Sequence, residues 1–152
     1  MKLFSRFCFV QAFLLIMIAN AQAQGIMVND AWIRGVPPSA KTTAAFMTIQ
    51  NNRPDEMVLD SATSEIAEAV QIHAMEQVGE MMKMKEISEL RIPANEQAVL
   101  APKGYHIMLI GLLRPLAEGE TIPLILNFRD GSTVAVDAVV RKWGTMAPMS
   151  GH

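Results

Sequence analysis

Four side chains have the types and spacing of a soft metal site: His73, Met84, His106 and Met108. Ten residues separate His73 from Met84, twenty-one separate Met84 from His106, and one separates His106 from Met108. Two imidazoles and two thioethers make an N₂S₂ set that favours Cu(I) and disfavours Mg²⁺, Ca²⁺ and Mn²⁺, which want oxygen. Zinc accepts histidine but normally adds cysteine or carboxylate. A thioether needs no deprotonation and forms no disulfide in an oxidising compartment. Imidazole binds a metal only when neutral, and its unperturbed pKa is about 6.5, so such a site weakens in acid.

These side chains must be brought together by strands. Residues two apart on a strand project to the same side, so His106 and Met108 share a face, with Tyr105, Ile107 and Leu109 on the other. Ala69 to Gln77 and Met81 to Ser88 flank Gly79 like the arms of a hairpin. If its loop is Val78-Gly79, His73 lies directly opposite Met84 and Met75 opposite Met82. A three-residue loop would change the parity and send His73 and Met84 to opposite faces. Met75 and Met82 are then spare ligands or a shield around the site.

The rest of the chain has the same texture. Strands are expected at Ile26 to Ile33, Thr42 to Gln50, Met57 to Ser61, Ala98 to Leu100, Tyr105 to Leu112, Ile122 to Phe128 and Thr133 to Val140. Ser64 to Glu68 reads as a helical turn, Pro37-Pro38 as a rigid turn, Trp32 as a structural residue, and Asp130-Gly131 as a hairpin turn. Eight or nine short strands predict one all-β domain, an antiparallel sandwich or barrel.

Residues 1–23 read as a cleaved signal peptide: Lys2 and Arg6, an apolar run from Phe7 to Ala19, then Ala21-Gln22-Ala23. The sandwich domain is expected over 24–142, and the protein is expected to be exported. Cys8, the sole cysteine, falls in the leader, and Ser5-Arg6-Phe7 before it is unlike a lipoprotein cleavage box. The mature chain is left with no thiolate, which excludes a disulfide framework and a blue-copper electron-transfer centre. Loss of Lys2 and Arg6 leaves 11 basic against 15 acidic residues, a net charge of −4. With no basic block, nucleic acid is not expected as a partner, and no later segment suits stable membrane insertion.

Methionine is the compositional outlier, with 12 residues, of which Met1 and Met17 leave with the leader. Met47 and Met57 read as core gap-fillers. Met146, Met149 and His152 recur every three residues in a Gly/Pro/Ser-containing tail, 143–152. That tail is either a disordered terminus or an accessory copper arm. His152, with the terminal carboxylate, would suit Cu(II) better than a thioether does.

The spacing His73-x10-Met84-x21-His106-x-Met108 resembles the motif of the periplasmic copper chaperone family PCuAC. Asp30-Ala31-Trp32-Ile33-Arg34 with the prolines after it is similar to that family's opening. Ala44 to Ile49 with Asn51-Asn52, Pro102 to Leu109, Gly111-Leu112, Leu116-x-x-Gly119 and Leu126-x-Phe128-x-x-Gly131 are similar to later segments. The resemblance runs from about Ile26 to Val140. Ala74 departs from it, since relatives often carry Glu or Met after the first histidine. The resemblance implies a cupredoxin-like antiparallel β-sandwich with Cu(I) on His73, Met84, His106 and Met108. It also implies delivery of copper toward the binuclear copper centre of cytochrome c oxidase, alongside Sco-type proteins. A non-enzymatic carrier is expected. The alternative is an exported sandwich that binds another ligand, or that scavenges or stores copper without delivering it. An enzyme fits less well, because copper redox enzymes usually need more histidines and no Ser-His-acid arrangement is suggested.

Overall fold

Alternating apolar and polar residues set up the strands, and turn residues cut them to length. β9 is the plainest case: Ile122, Leu124, Leu126 and Phe128 point inward while Thr121, Pro123 and Ile125 point out. A computed structural model describes residues 24–142. The leader, the tail and the expectations placed on Cys8, Met146, Met149 and His152 lie outside the described residues. The strands are β1 (Ile26–Arg34), β2 (Thr42–Asn51), β3 (Met57–Thr63), β4 (Ala67–Val78), β5 (Met81–Glu86), β6 (Leu90–Ile92), β7 (Gln97–Leu100), β8 (His106–Leu112), β9 (Thr121–Phe128) and β10 (Thr133–Arg141). Among the described residues no helix is long and apolar enough to cross a membrane.

One sheet runs in the order β5-β4-β8-β2-β1-β10-β9-β3-β6. β8 pairs with the first half of β2 and β7 with its second half. Inward-facing residues from both limbs of this long sheet meet in one core, including Ile33, Ile49, Leu59, Ile72, Leu109 and Leu124. Met47 and Met57 are buried in it, as expected of gap-fillers. The all-β sandwich expected from the sequence is present, with one departure from an antiparallel arrangement: β1 and β10 run parallel, Trp32 beside Val139. A parallel neighbour requires a long crossover, and here nearly the whole domain lies between the two strands.

Three local expectations are corrected. Ser64 to Glu68 contains a turn at Glu65–Ile66, and strand resumes at Ala67. β8 begins at His106, not Tyr105. Tyr105 follows a Pro102-Lys103 turn closed by the Gly104 N–H on the Ala101 carbonyl at 2.9 Å, and its ring is exposed. The β4–β5 loop is Gly79-Glu80, so Val78 pairs with Met81. Gly79 takes φ +63°, and only the first loop position is left-handed, as in a type II′ turn with glycine first. The expected rigid turn at Pro37-Pro38 is present: the Ala40 N–H donates to the Pro37 carbonyl at 2.9 Å, with Pro38 at the second turn position.

Candidate metal site

Two strand pairings build the site. β4 lies between β8 and β5, with His73 beside His106 on one flank and Met75 beside Met84 on the other. Ile72 and Ile107, one residue off this set, are paired neighbours in the core. The alternation therefore puts Gln71, His73, Met75, His106, Met108 and Met84 on the sheet face away from the core.

The two imidazoles are 5.7 Å apart between ring centroids. On the far side of His106 stands Phe46, at 6.3 Å, and beyond it Trp32, 4.5 Å from Phe46. In this aromatic row Phe46 packs beside the buried His106 ring, and Trp32 packs behind Phe46, outside the core cluster. A cleft of about 450 Å³ opens beside the row, lined among others by Phe46, Met75, Met82, Met84, His106 and Met108. His73 packs against His106 at the cleft's edge and does not form part of its wall. The charged groups in the wall are Arg34 and Lys103, with no carboxylate. Such a wall repels hard divalent cations, which need anionic oxygen. Among the described residues no group of three or more His, Cys, Asp or Glu is placed to hold a metal ion.

Hydrogen bonds set the tautomer of each imidazole. His106 Nδ1 meets the Gly104 carbonyl at 2.9 Å, so Nδ1–H donates and Nε2 keeps its lone pair. Lys103, at φ +70°, occupies the turn position that normally takes glycine and thereby aims that carbonyl. His73 Nε2 meets Gln71 Oε1 at 2.9 Å, so Nε2–H donates and the lone pair sits on Nδ1. His73 Nδ1 is buried and has no hydrogen-bond partner. An unmade bond at a buried polar atom costs about 1–3 kcal/mol, and a soft metal ion would remove that cost. Burial, then the nearby His106 charge, push the His73 pKa below that of a free imidazole, against a smaller upward pull from Glu86. The neutral form, which is the metal-binding form, is thereby favoured.

The methionines sit where the corrected register puts them. His73 directly faces Glu86, not Met84, and Met84 directly faces Met75. Parity survives the two-residue shift, so His73 and Met84 still share a face and lie diagonally. β5 is an edge strand exposed along its length, with Met82 52% and Met84 58% exposed. Gln71, the Gly104 carbonyl and Phe46 were not singled out in the sequence. Gln71 alone had a signal there, two residues before His73 and therefore on the same face.

A model of the family described as "Putative lipoprotein LpqE-like" matches residues 26–140. A Leifsonia xyli subsp. xyli (strain CTCB07) protein named "Putative lipoprotein Lxx21020" is 38% identical over 121 residues, 79% of this chain and 72% of that protein. The solution structure of CuI-DR1885 from Deinococcus radiodurans is 37% identical, with TM-score 0.65 over 81% of this chain and 83% of that one. The copper-bound PCuAC domain from PmoF2 has TM-score 0.67 at 19% identity, covering 78% of this chain and 93% of that domain, a likeness of fold.

Proposed function

The chain belongs to the LpqE-like family, and on that premise we propose that it is a copper chaperone that holds one Cu(I) on His73, Met84, His106 and Met108. The observation that carries this reading is the pair of imidazole lone pairs, His73 Nδ1 and His106 Nε2, on rings 5.7 Å apart beside a methionine-lined cleft. All four ligands are neutral when bound, so the site accepts a monovalent soft ion without recruiting counter-charge. The Cu(I)-bound DR1885 structure, 37% identical, supports the same cargo.

We further infer export to the periplasm and delivery of the ion toward the binuclear copper centre of cytochrome c oxidase, with Sco-type proteins as companions. Exposure of the β5 thioethers supports transfer over storage, because a recipient can reach them without unfolding the domain. Anaerobic titration with Cu(I) against a competing chelator tests binding. Met108→Leu keeps volume and apolarity while removing sulfur, and should cost at least about tenfold in affinity with the fold intact. Wild-type affinity in that variant would mean the site lies elsewhere. Mixing the loaded protein with a soluble oxidase copper-centre domain tests delivery, and no transfer would leave scavenging or storage as the function.

A further inference from the structure

We propose that Met75, Met82 and Met84 form a second, sulfur-only Cu(I) site at the mouth of the cleft, sharing Met84 with the imidazole site. The inference rests on the Cu(I) reading above and gives that site an entrance. It follows from the β4–β5 register. Met75 and Met84 are directly opposed, and Met82 is two residues along the same face of β5, diagonal to Met75. Directly opposed side chains have Cβ atoms about 4.5–5.5 Å apart, and diagonal ones remain within reach of long side chains. All three residues line the one cleft.

Packing does not account for them. No residue of β5 is buried. Met82 and Met84 forgo most of the stabilisation that burying an apolar side chain brings by standing on an exposed edge. The intervening Lys83 and Lys85 project to the other side, where Lys85 pairs with Glu76 at 3.7 Å. Met82 and Met84 share their face of β5 with Glu86, which lies opposite His73, while Met81 stands on the lysine side; the two thioethers beside the cleft are therefore neighbours of Met75 and not of the lysines. Three neutral thioethers select Cu(I) over Zn²⁺ and Cu(II) and need no proton release.

Depth then orders the two sites. His106 is buried and Met108 half-buried, while Met82 and Met84 are exposed. An incoming ion meets sulfur first. Met84 keeps hold as Met75 and Met82 are exchanged for Met108 and the two imidazoles. The ion stays Cu(I) throughout, and no proton moves.

The test uses the double variant His73→Ala/His106→Ala, titrated anaerobically with Cu(I) and with Ag(I) as a redox-inert probe, and read from methionine methyl NMR signals. One residual ion is expected, shifting the methyl signals of Met75, Met82 and Met84. Adding Met82→Leu should weaken that ion by roughly tenfold or more. No residual binding, or residual binding indifferent to Met82→Leu, would overturn the outer site while leaving the four-ligand site intact. A wild-type chain that binds no Cu(I) would overturn both. If the double variant does not fold, Met75→Leu/Met82→Leu in the otherwise wild-type chain takes its place. Release of Cu(I) to a chelator should then slow by roughly tenfold as the sulfur exit is lost, and release at the wild-type rate would overturn the proposal.

Discussion

Gln71 should control copper affinity without touching the ion. Its Oε1 accepts from His73 Nε2 at 2.9 Å and so keeps the lone pair on Nδ1, the atom buried without a partner. Gln71→Leu removes the acceptor and frees the ring to change tautomer or rotate. A neutral hydrogen bond is worth about 0.5–1.5 kcal/mol net, which corresponds to about twofold to tenfold in a dissociation constant. Second-layer partners of metal-binding histidines have cost 10–100-fold in other proteins, about the top of that range and above. We therefore expect Cu(I) affinity to fall between about threefold and thirtyfold. The assay is competition with a Cu(I) chelator under anaerobic conditions, with urea unfolding run alongside. Gln71 is half-buried on the non-core face, so the fold should hold. Gln71→Glu restores an acceptor and should restore affinity at neutral pH. Unchanged binding in Gln71→Leu would refute the reasoning, and tighter binding would mean that copper uses Nε2 with Gln71 as its competitor.

Asn51 is fully buried, donating to the carbonyls of Asp55, Ile92 and Pro93 and accepting from the Arg53 N–H; Asn51→Ala should cost about 3 kcal/mol in urea unfolding, and an unchanged midpoint would mean that the network is idle. Lys103→Gly removes a left-handed side chain at φ +70° and should stabilise the fold by about 0.5–1 kcal/mol; destabilisation would show that its side chain contributes more than the strain it carries. Asp130 is held below the usual carboxylate range, first by the Ser132 hydroxyl and then by the Ser132 N–H, so it contributes stability above its unfolded pKa and loses it as pH falls through the folded one. The melting-temperature gap between wild type and Asp130→Asn should be present at neutral pH and close below roughly pH 3; a gap that widens in acid would reverse the sign.

Strands with a strong period of two were legible because each carries its own signal. Ile122, Leu124 and Leu126 alternate with outward residues and end at a glycine turn, and the structure repeats that pattern. Longer-range facts had no local signal. The parallel partnership of β1 with β10 depends on residues more than a hundred positions apart. β6 has three residues, too few for a period, and is a strand because Met57 to Leu59 pair with it. The β4–β5 turn is the instructive case. Gly79 marked a turn but left open whether it came first or second in the loop. Either place in a two-residue loop gives the same parity, whereas a three-residue loop reverses it, so the shared face of His73 and Met84 hung on the loop's length and their direct opposition on the glycine's place in it. Gly104 escaped notice because it acts through a backbone carbonyl, which no side-chain motif records.

In the proposed site, the division of the four ligands between strands bears on how a carrier could both hold and release an ion. His73 and His106 sit on β4 and β8, each paired on both sides, and their rings are braced by Gln71, Gly104 and Phe46. Those nitrogens are positioned in advance, so little ordering entropy opposes binding. The thioethers of Met82 and Met84 sit on a strand with a neighbour on one side only and with no buried residue. A methionine side chain has three rotatable bonds, and in open solvent it can swing with little steric opposition. In the proposed sites, affinity then falls to the braced nitrogens together with Met108 on β8, and exchange to the edge-strand sulfurs of Met82 and Met84. On this proposal, moving Met82 and Met84 to an interior strand would tighten binding and close the route by which a recipient would take the ion.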